Sequence, residues 1–229
     1  MFLIAALSLC LSFSHAFSDT VASSAASDPM ATVKGGIGQA IAVFQNHQMP
    51  LAERRRTLRT LAENYFDFPM MSRSVLGYHW RSLTDQQRAQ FVPLFTGFIE
   101  DAYLSKLQDY TVRKVQQELQ TARISYIREQ LDGDYAQVFT TVTLSDRAKP
   151  IDVNYYLART NGAWKVYDLS IESISIIANF RNQFNRVINN AGYDTLLADL
   201  RAKQRRLQQD LDNPQPQTSS LSLATTPSD

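Results

Sequence analysis

Side chains that could carry a proton near neutral pH or hold a soft metal are few: three histidines and one cysteine in 229 residues. His15 lies in an apolar leading run, His47 near a helix end, and His79 beside Trp80. None is spaced with another His, Asp or Glu as a metal pair requires. His79 is the one histidine placed to act as a general base, although a lone histidine next to an aromatic more commonly serves packing. Asp152, Asp168 and Glu172 lie in or beside a hairpin, where Asp168 could pair with an arginine; acid–base work would need a raised pKa. Cys10 sits in the apolar run after Leu9, which is not the small residue a lipoprotein site wants. Without that run the chain has no thiol, so disulfides, thiol nucleophiles and cysteine-ligated metals are excluded from the mature protein. No G-x-S-x-G, P-loop or dinucleotide fingerprint occurs, and glycine totals only 8. The chain does not read as an enzyme.

Apolar surface is plentiful by contrast, with 12 Phe, 10 Tyr and 2 Trp in a chain that is 44% hydrophobic. Tyrosine suits a pocket mouth, apolar at one end and wet at the other, but the same residues can build an ordinary core. The balance of 23 Lys+Arg against 22 Asp+Glu leaves a net charge of +1 and no general footprint for nucleic acid. Arg54, Arg55, Arg56 and Arg59 cluster on one predicted helix, readable as a contact for an anionic surface or as a solvated face.

These residues need elements to position them. The first, MFLIAALSLCLSFSHAF, reads as a signal peptide over 1–16 that ends in the small-x-small Ser14-His15-Ala16. It lacks the usual Lys/Arg start and is too short and serine-rich for a good membrane span. A flexible lead is expected over 17–31, one domain over 32–210, and a low-complexity, disordered tail over 211–229. Val33, Ile37, Ile41 and Phe44 fall at helical spacing, and Pro50 starts a second helix with Leu51, Leu58, Leu61 and Tyr65 on one side. Asp67 can cap a short helix begun near Pro69, which Gly77 can end. Thr84 and Gln87 form a capping-box signal. In the helix that follows, Phe91, Leu94, Phe95, Phe98, Ile99, Ala102, Tyr103 and Leu107 make a wide apolar stripe, with a kink expected at Pro93.

From Thr111 the period reads as 2, and TVRKVQQ, ARISYIREQL, YAQVFTTVTL, IDVNYYLART and AWKVYDLSIE are strand candidates. Asn161-Gly162 marks a two-residue hairpin, because a type I′ turn needs φ > 0 at both central residues. Counting outward places Leu157 opposite Val166, with Tyr155 and Val153 on the same side. Tyr156 then falls opposite Tyr167, with Leu169 and Ile171 on the second face. Both faces of this hairpin are apolar, so each must be covered. Ile177, Phe180, Phe184, Val187 and Ile188 make a further helix stopped by Gly192, and Asp194 opens a last one carrying Leu196, Leu197 and Leu200. The fold class is α+β, with helices packed on an antiparallel meander of about four or five strands.

Three stretches carry a resemblance: YFDFPMMSRSVLGYHWRSLTDQQRAQFVPLF, PIDVNYYLARTNGAWKVYDLSIESISIIANFRNQF and INNAGYDTLLADLRAK. In this order they resemble the MlaC-type (toluene-tolerance) family of periplasmic phospholipid carriers, over roughly Ile37 to Lys203. Pro93 departs from a helix that the family usually keeps unbroken. The resemblance implies a strongly twisted sheet and helices enclosing a deep apolar lipid pocket, with no catalysis. It also implies a bound phospholipid in place of a cofactor, exchanged with an outer-membrane lipoprotein complex and an inner-membrane ABC transporter complex. The carrier is expected to be a monomer. The hopanoid-associated branch of the family shares much of the pattern and stands as the alternative.

On that resemblance the pocket walls are expected from Val75, Leu76, Phe95, Phe98, Ile99 and Tyr103 on the helical side. Val142, Val153, Tyr155, Leu157, Val166, Ile174 and Ile176 are expected from the sheet and the helix after it, with Asn179 and Arg181 near the mouth. Two other readings stay open: a small-molecule enzyme using His79 or Asp168 as base, and an envelope adaptor that binds only proteins.

Overall fold

The structure is a computed structural model and describes residues 28–107 and 109–212. The expected signal peptide, the lead up to residue 27 and nearly all of the tail lie outside the described residues. The lead is shorter than expected, because helix α1 (Pro29–Gln45) already begins at Pro29, with the Asp28 carboxylate accepting from the Ala31 amide. Proline fits this first turn because its missing N–H would have no partner there. Helices α2 (Leu51–Tyr65), α3 (Phe68–Leu76), α4 (His79–Ser82) and α5 (Asp85–Leu104) follow. Asp67 caps α3 through Met70 N, Gly77 ends it at φ 57°, and the Thr84–Gln87 capping box is present in full. Helix α5 runs unbroken across Pro93. The hydrogen bond that Pro93 cannot make would have gone to Ala89, an exposed residue whose carbonyl can turn to water.

The segment TVRKVQQ is a helix, not the first strand: α6 spans Asp109–Leu119. Val112, Val115 and Leu119 are all buried. Their spacing of three and four fits a helical face and breaks a period of two. The sheet therefore begins later, with β1 (Arg123–Asp132), β2 (Tyr135–Thr143), β3 (Ile151–Thr160), β4 (Ala163–Ile171) and the two-residue β5 (Ile174–Ser175). All neighbours are antiparallel, in the simple order β1-β2-β3-β4-β5. The Asn161-Gly162 turn holds φ values of 51° and 81°. Glu172 and Ser173 make the unexpected last turn into β5, also at positive φ.

The hairpin register matches the reading near the turn and departs from it further out. Leu157 pairs with Val166, but Tyr156 pairs with Asp168, which leaves Tyr167 as an extra, bulged residue. One inserted residue reverses the facing of everything beyond it. Leu169 and Ile171 consequently lie opposite Tyr155 and Val153, on the Leu157 side. Helices α7 (Ile176–Ala191) and α8 (Tyr193–Asp212) complete the described chain, with Gly192 between them at φ 86°.

Two apolar clusters result. The first lies between the inner face of the sheet and helices α1 and α6, and takes in Leu104 and Leu107 at the end of α5. The second is helical, formed by α3, α5, α7 and α8. Phe66, at the C-terminal end of α2, packs against both. The seam is pinned there by a backbone bond from Asp67 N to Val166 O, 2.8 Å.

Candidate functional site

Alternation along the strands sends Val142, Val153, Tyr155, Leu157 and Val166 to one side, and all five are buried in the first cluster. Opposite them stand Val33, Ile37, Ile41 and Phe44 of α1. Thr140 is buried on the same face, and its hydroxyl is satisfied by donating to Val153 O at 2.7 Å. Burial pushes the Tyr155 phenol well above the ordinary tyrosine range, so it stays neutral. The surface between sheet and α1 is thus apolar, with its polar groups internally paired or uncharged.

The helical half of the expected walls forms the second cluster: Val75, Leu76, Phe95, Phe98 and Ile99 are buried there, and Tyr103 packs against it half-exposed. Phe95 meets Phe184 edge-on at 6.0 Å and Phe180 at 6.3 Å, and Phe98 meets Phe180 at 5.8 Å. Such pairs prefer this T-shaped geometry because ring edges are positive and ring faces negative. Ile176 opens α7 half-buried, whereas Ile174 is 57% exposed and belongs to neither cluster. Arg181 Nε donates to Ser74 O at 2.7 Å and so ties α7 to α3, while Asn179 is exposed. Eleven of the thirteen expected wall residues therefore divide between two clusters instead of ringing one, and Ile174 and Ile176 belong to neither.

Groups singled out for acid–base work have other partners. Among the described residues no ion pair joins Asp168 to an arginine: it accepts from Ser175 Oγ at 2.5 Å and from Ile177 N at 3.1 Å, securing the start of α7. A carboxylate at a helix N-terminus is favoured by the exposed N–H groups and the dipole. His79 stacks near Tyr78 with ring centroids 3.9 Å apart, and its Nε2 is buried without a hydrogen-bond partner. Glu172 is exposed, 3.9 Å from Arg147. His47 lines a shallow cleft of about 240 Å³ with Gln45, Gln116, Leu119 and Gln120. Among the described residues no group of three or more His, Cys, Asp or Glu could hold a metal, and no helix is long and apolar enough to cross a membrane.

The arginine cluster turns inward. Arg54 is buried and donates to the carbonyls of Val43, Asn46 (2.7 Å) and Met49 (3.1 Å), closing the loop between α1 and α2. Arg55 donates to Leu107 O (2.7 Å) and Leu211 O (3.2 Å). Arg59 reaches α5, with Nη2 2.8 Å from Asp101 Oδ1 and Nε 3.1 Å from Glu100 Oε2. Of the four, Arg56 is exposed and the Arg59 side chain half-exposed.

A family model described as MlaC protein matches residues 36–202 of this sequence. The chain belongs to the MlaC family. A curated relative, the intermembrane phospholipid transport system binding protein MlaC of Haemophilus influenzae, is 24% identical over 163 residues. That match covers 69% of this chain and 73% of the relative. Among solved structures, the phospholipid-binding protein of Ralstonia solanacearum, in complex with a phospholipid, is similar at a TM-score of 0.63 and 21% identity. The likeness covers 79% of this chain and 99% of that one. At that identity the likeness speaks to the fold, and the α+β arrangement of helices on an antiparallel sheet is shared.

Within this MlaC-family fold, sequence reasoning passed over one group of functional interest. Glu100 and Asp101 are both buried, although they follow directly on the apolar Phe98 and Ile99 of α5. Gln204 of α8 lies 3.4 Å from Asp101 Oδ2, passing over Gly97, where a Cβ would overlap its amide. The available signal was two adjacent acids inside the stripe, which a helix can bury only with a cation beside them.

Proposed function

We propose that this protein is a periplasmic lipid carrier that sheathes the acyl chains of a phospholipid between the sheet and its helices. The observation that carries the reading is the family match, together with a relative of the same fold whose solved structure holds a phospholipid. Two acyl chains expose roughly thirty methylenes, and at about 0.8 kcal/mol each their transfer through water costs on the order of 25 kcal/mol. A carrier removes that cost with apolar walls alone. The sheet face bearing Val142, Val153, Tyr155, Leu157 and Val166, closed by α1, is the wall we assign to the chains. Val75, Leu76, Phe95, Phe98, Ile99 and Tyr103 line the second side, with Ile176 and Ile174 toward solvent.

In this reading the protein is exported as a soluble monomer. It exchanges lipid with an inner-membrane ABC transporter complex and an outer-membrane lipoprotein complex, and it does no chemistry on its cargo. Native mass spectrometry of protein purified from a bacterial periplasm without detergent tests this. A bound mass that denaturation releases and that fragments as a phospholipid is expected. A hopanoid mass would change the cargo and keep the carrier. A clean unbound mass that persists after incubation with labelled liposomes would sink it.

A further inference from the structure

The acidic pair in α5 stands within a turn of the place where the two apolar clusters meet. On α5, Phe98, Ile99, Ala102 and Tyr103 pack with the helical cluster, and Leu104 belongs to the sheet cluster. On α2, Leu58 packs against the sheet cluster and Ala62 against the helical one, with Arg59 between them. On α8, Leu207 packs with the helical cluster and Leu211 with the sheet cluster, so the charged junction of α2, α5 and α8 lies within about a turn of the line along which the two clusters would part.

Its charges do not balance. Glu100 and Asp101 share one guanidinium, and Glu63 of α2 adds a further negative charge nearby. From α8 the facing group is Gln204, which is neutral. Glu100 is 8% exposed, and its Oε1 is buried with no hydrogen-bond partner. A second ionised carboxylate there is an uncompensated buried charge, which low-dielectric surroundings resist. The Arg59 side chain is 41% exposed, while its Nε beside Glu100 is buried and makes no hydrogen bond. We propose that Arg59, Glu100, Asp101 and Gln204 form a proton-operated latch, closing the seam while the acid pair keeps one proton and loosening it when that proton leaves.

The titration falls in a useful range. Desolvation, opposed by Arg59 and reinforced by Glu63 and Asp101, raises the Glu100 carboxyl to about 7. Between about pH 6 and 8 the ionised fraction then climbs from about a tenth to about nine-tenths. Opening of the seam should follow it.

Hydrogen–deuterium exchange of α2 and α8 amides in the full chain, corrected for intrinsic exchange, measures that opening directly. About a tenfold rise in opening is expected from about pH 6 to 8 in the wild type, and less than about twofold in Glu100→Gln. Asp101→Asn removes a like charge, so its rise should come at lower pH. A flat wild-type profile, or an unaltered rise in Glu100→Gln, overturns the latch. Should Glu100→Gln fail to fold, the wild-type profile and the direction of the Asp101→Asn shift decide the matter. A role for the latch in lipid release rests on the carrier reading, and transfer to phosphatidylcholine vesicles over the same pH range tests it. Absence of any bound lipid would count against the carrier alone, since exchange reads the latch without cargo.

Discussion

The Thr160 hydroxyl, at the end of β3, donates a 2.6 Å hydrogen bond to Asp67 Oδ2, while Oδ1 of the same carboxylate accepts from Met70 N at the start of α3. One buried side chain thereby joins strand to helix at the seam between the two apolar clusters. Asp67→Ala removes the cap and leaves Thr160 without its partner. A loss of about 2–3 kcal/mol in unfolding free energy is expected by urea titration. Thr160→Val should cost less, because the cap survives.

Arg54 and Arg56 are neighbours with opposite roles. Arg54→Ala strands three carbonyls at the α1–α2 loop and should destabilise the fold by about 3 kcal/mol. Arg56→Ala, at an exposed position, should stay within about 0.5 kcal/mol. Equal losses in the two variants, read from thermal melts, would contradict the inward orientation of this helix.

Glu100 also predicts how stability depends on pH. Its carboxyl titrates at about 7 folded, against 4.5 in the unfolded chain, so the folded state holds the proton more tightly. Below about pH 4.5 both states are protonated and the stabilising difference is fully present. As pH rises toward about 7 the unfolded chain loses its proton first, and up to about 3 kcal/mol is lost before the curve levels off. Other carboxylates superimpose their own slopes, so the comparison is with Glu100→Gln. The stability of the wild type relative to that variant should fall steadily from about pH 4.5 to 7 and level off beyond.

Two substitutions separate carriage from catalysis. Val153→Trp fills the sheet face assigned to the acyl chains and should lower the lipid recovered per protein by more than about tenfold, provided circular dichroism remains native. His79→Ala touches no assigned wall and should leave the lipid content unchanged. Loss of lipid in His79→Ala with Val153→Trp unaffected would require the wall to be placed elsewhere.

Features set by single residues were legible in the sequence. Asn161-Gly162, Gly77, Gly192, Asp67 and the Thr84–Gln87 box each obey a local backbone or capping rule, and each stands where it was read. What failed depended on distant partners. Val112 and Val115 are β-branched and suggested a strand, but their burial against α1 and the sheet, three residues apart, suits a helix. The Tyr167 bulge has no local signature; neighbouring rings at Tyr135 (6.2 Å) and Tyr156 (6.5 Å) occupy its side chain. The residues assigned to the walls were recognisable as apolar, yet the division of eleven of them into two clusters follows from where α5 crosses the seam, which no spacing records. Glu100 and Asp101 were hidden because their cation, Arg59, lies some forty positions away.

The strand order β1-β2-β3-β4-β5 bears on how the chain reaches this state. Each strand pairs only with its successor in sequence, through short connections, so the sheet can zip from its own turns at little loop-closure cost. The first cluster closes only when α1 returns from more than a hundred residues away to cover Val153 and Leu157. A sheet that zips first would present its apolar face before α1 covers it. In that interval it is open on one side, and a lipid met then could be enclosed as the cover comes down.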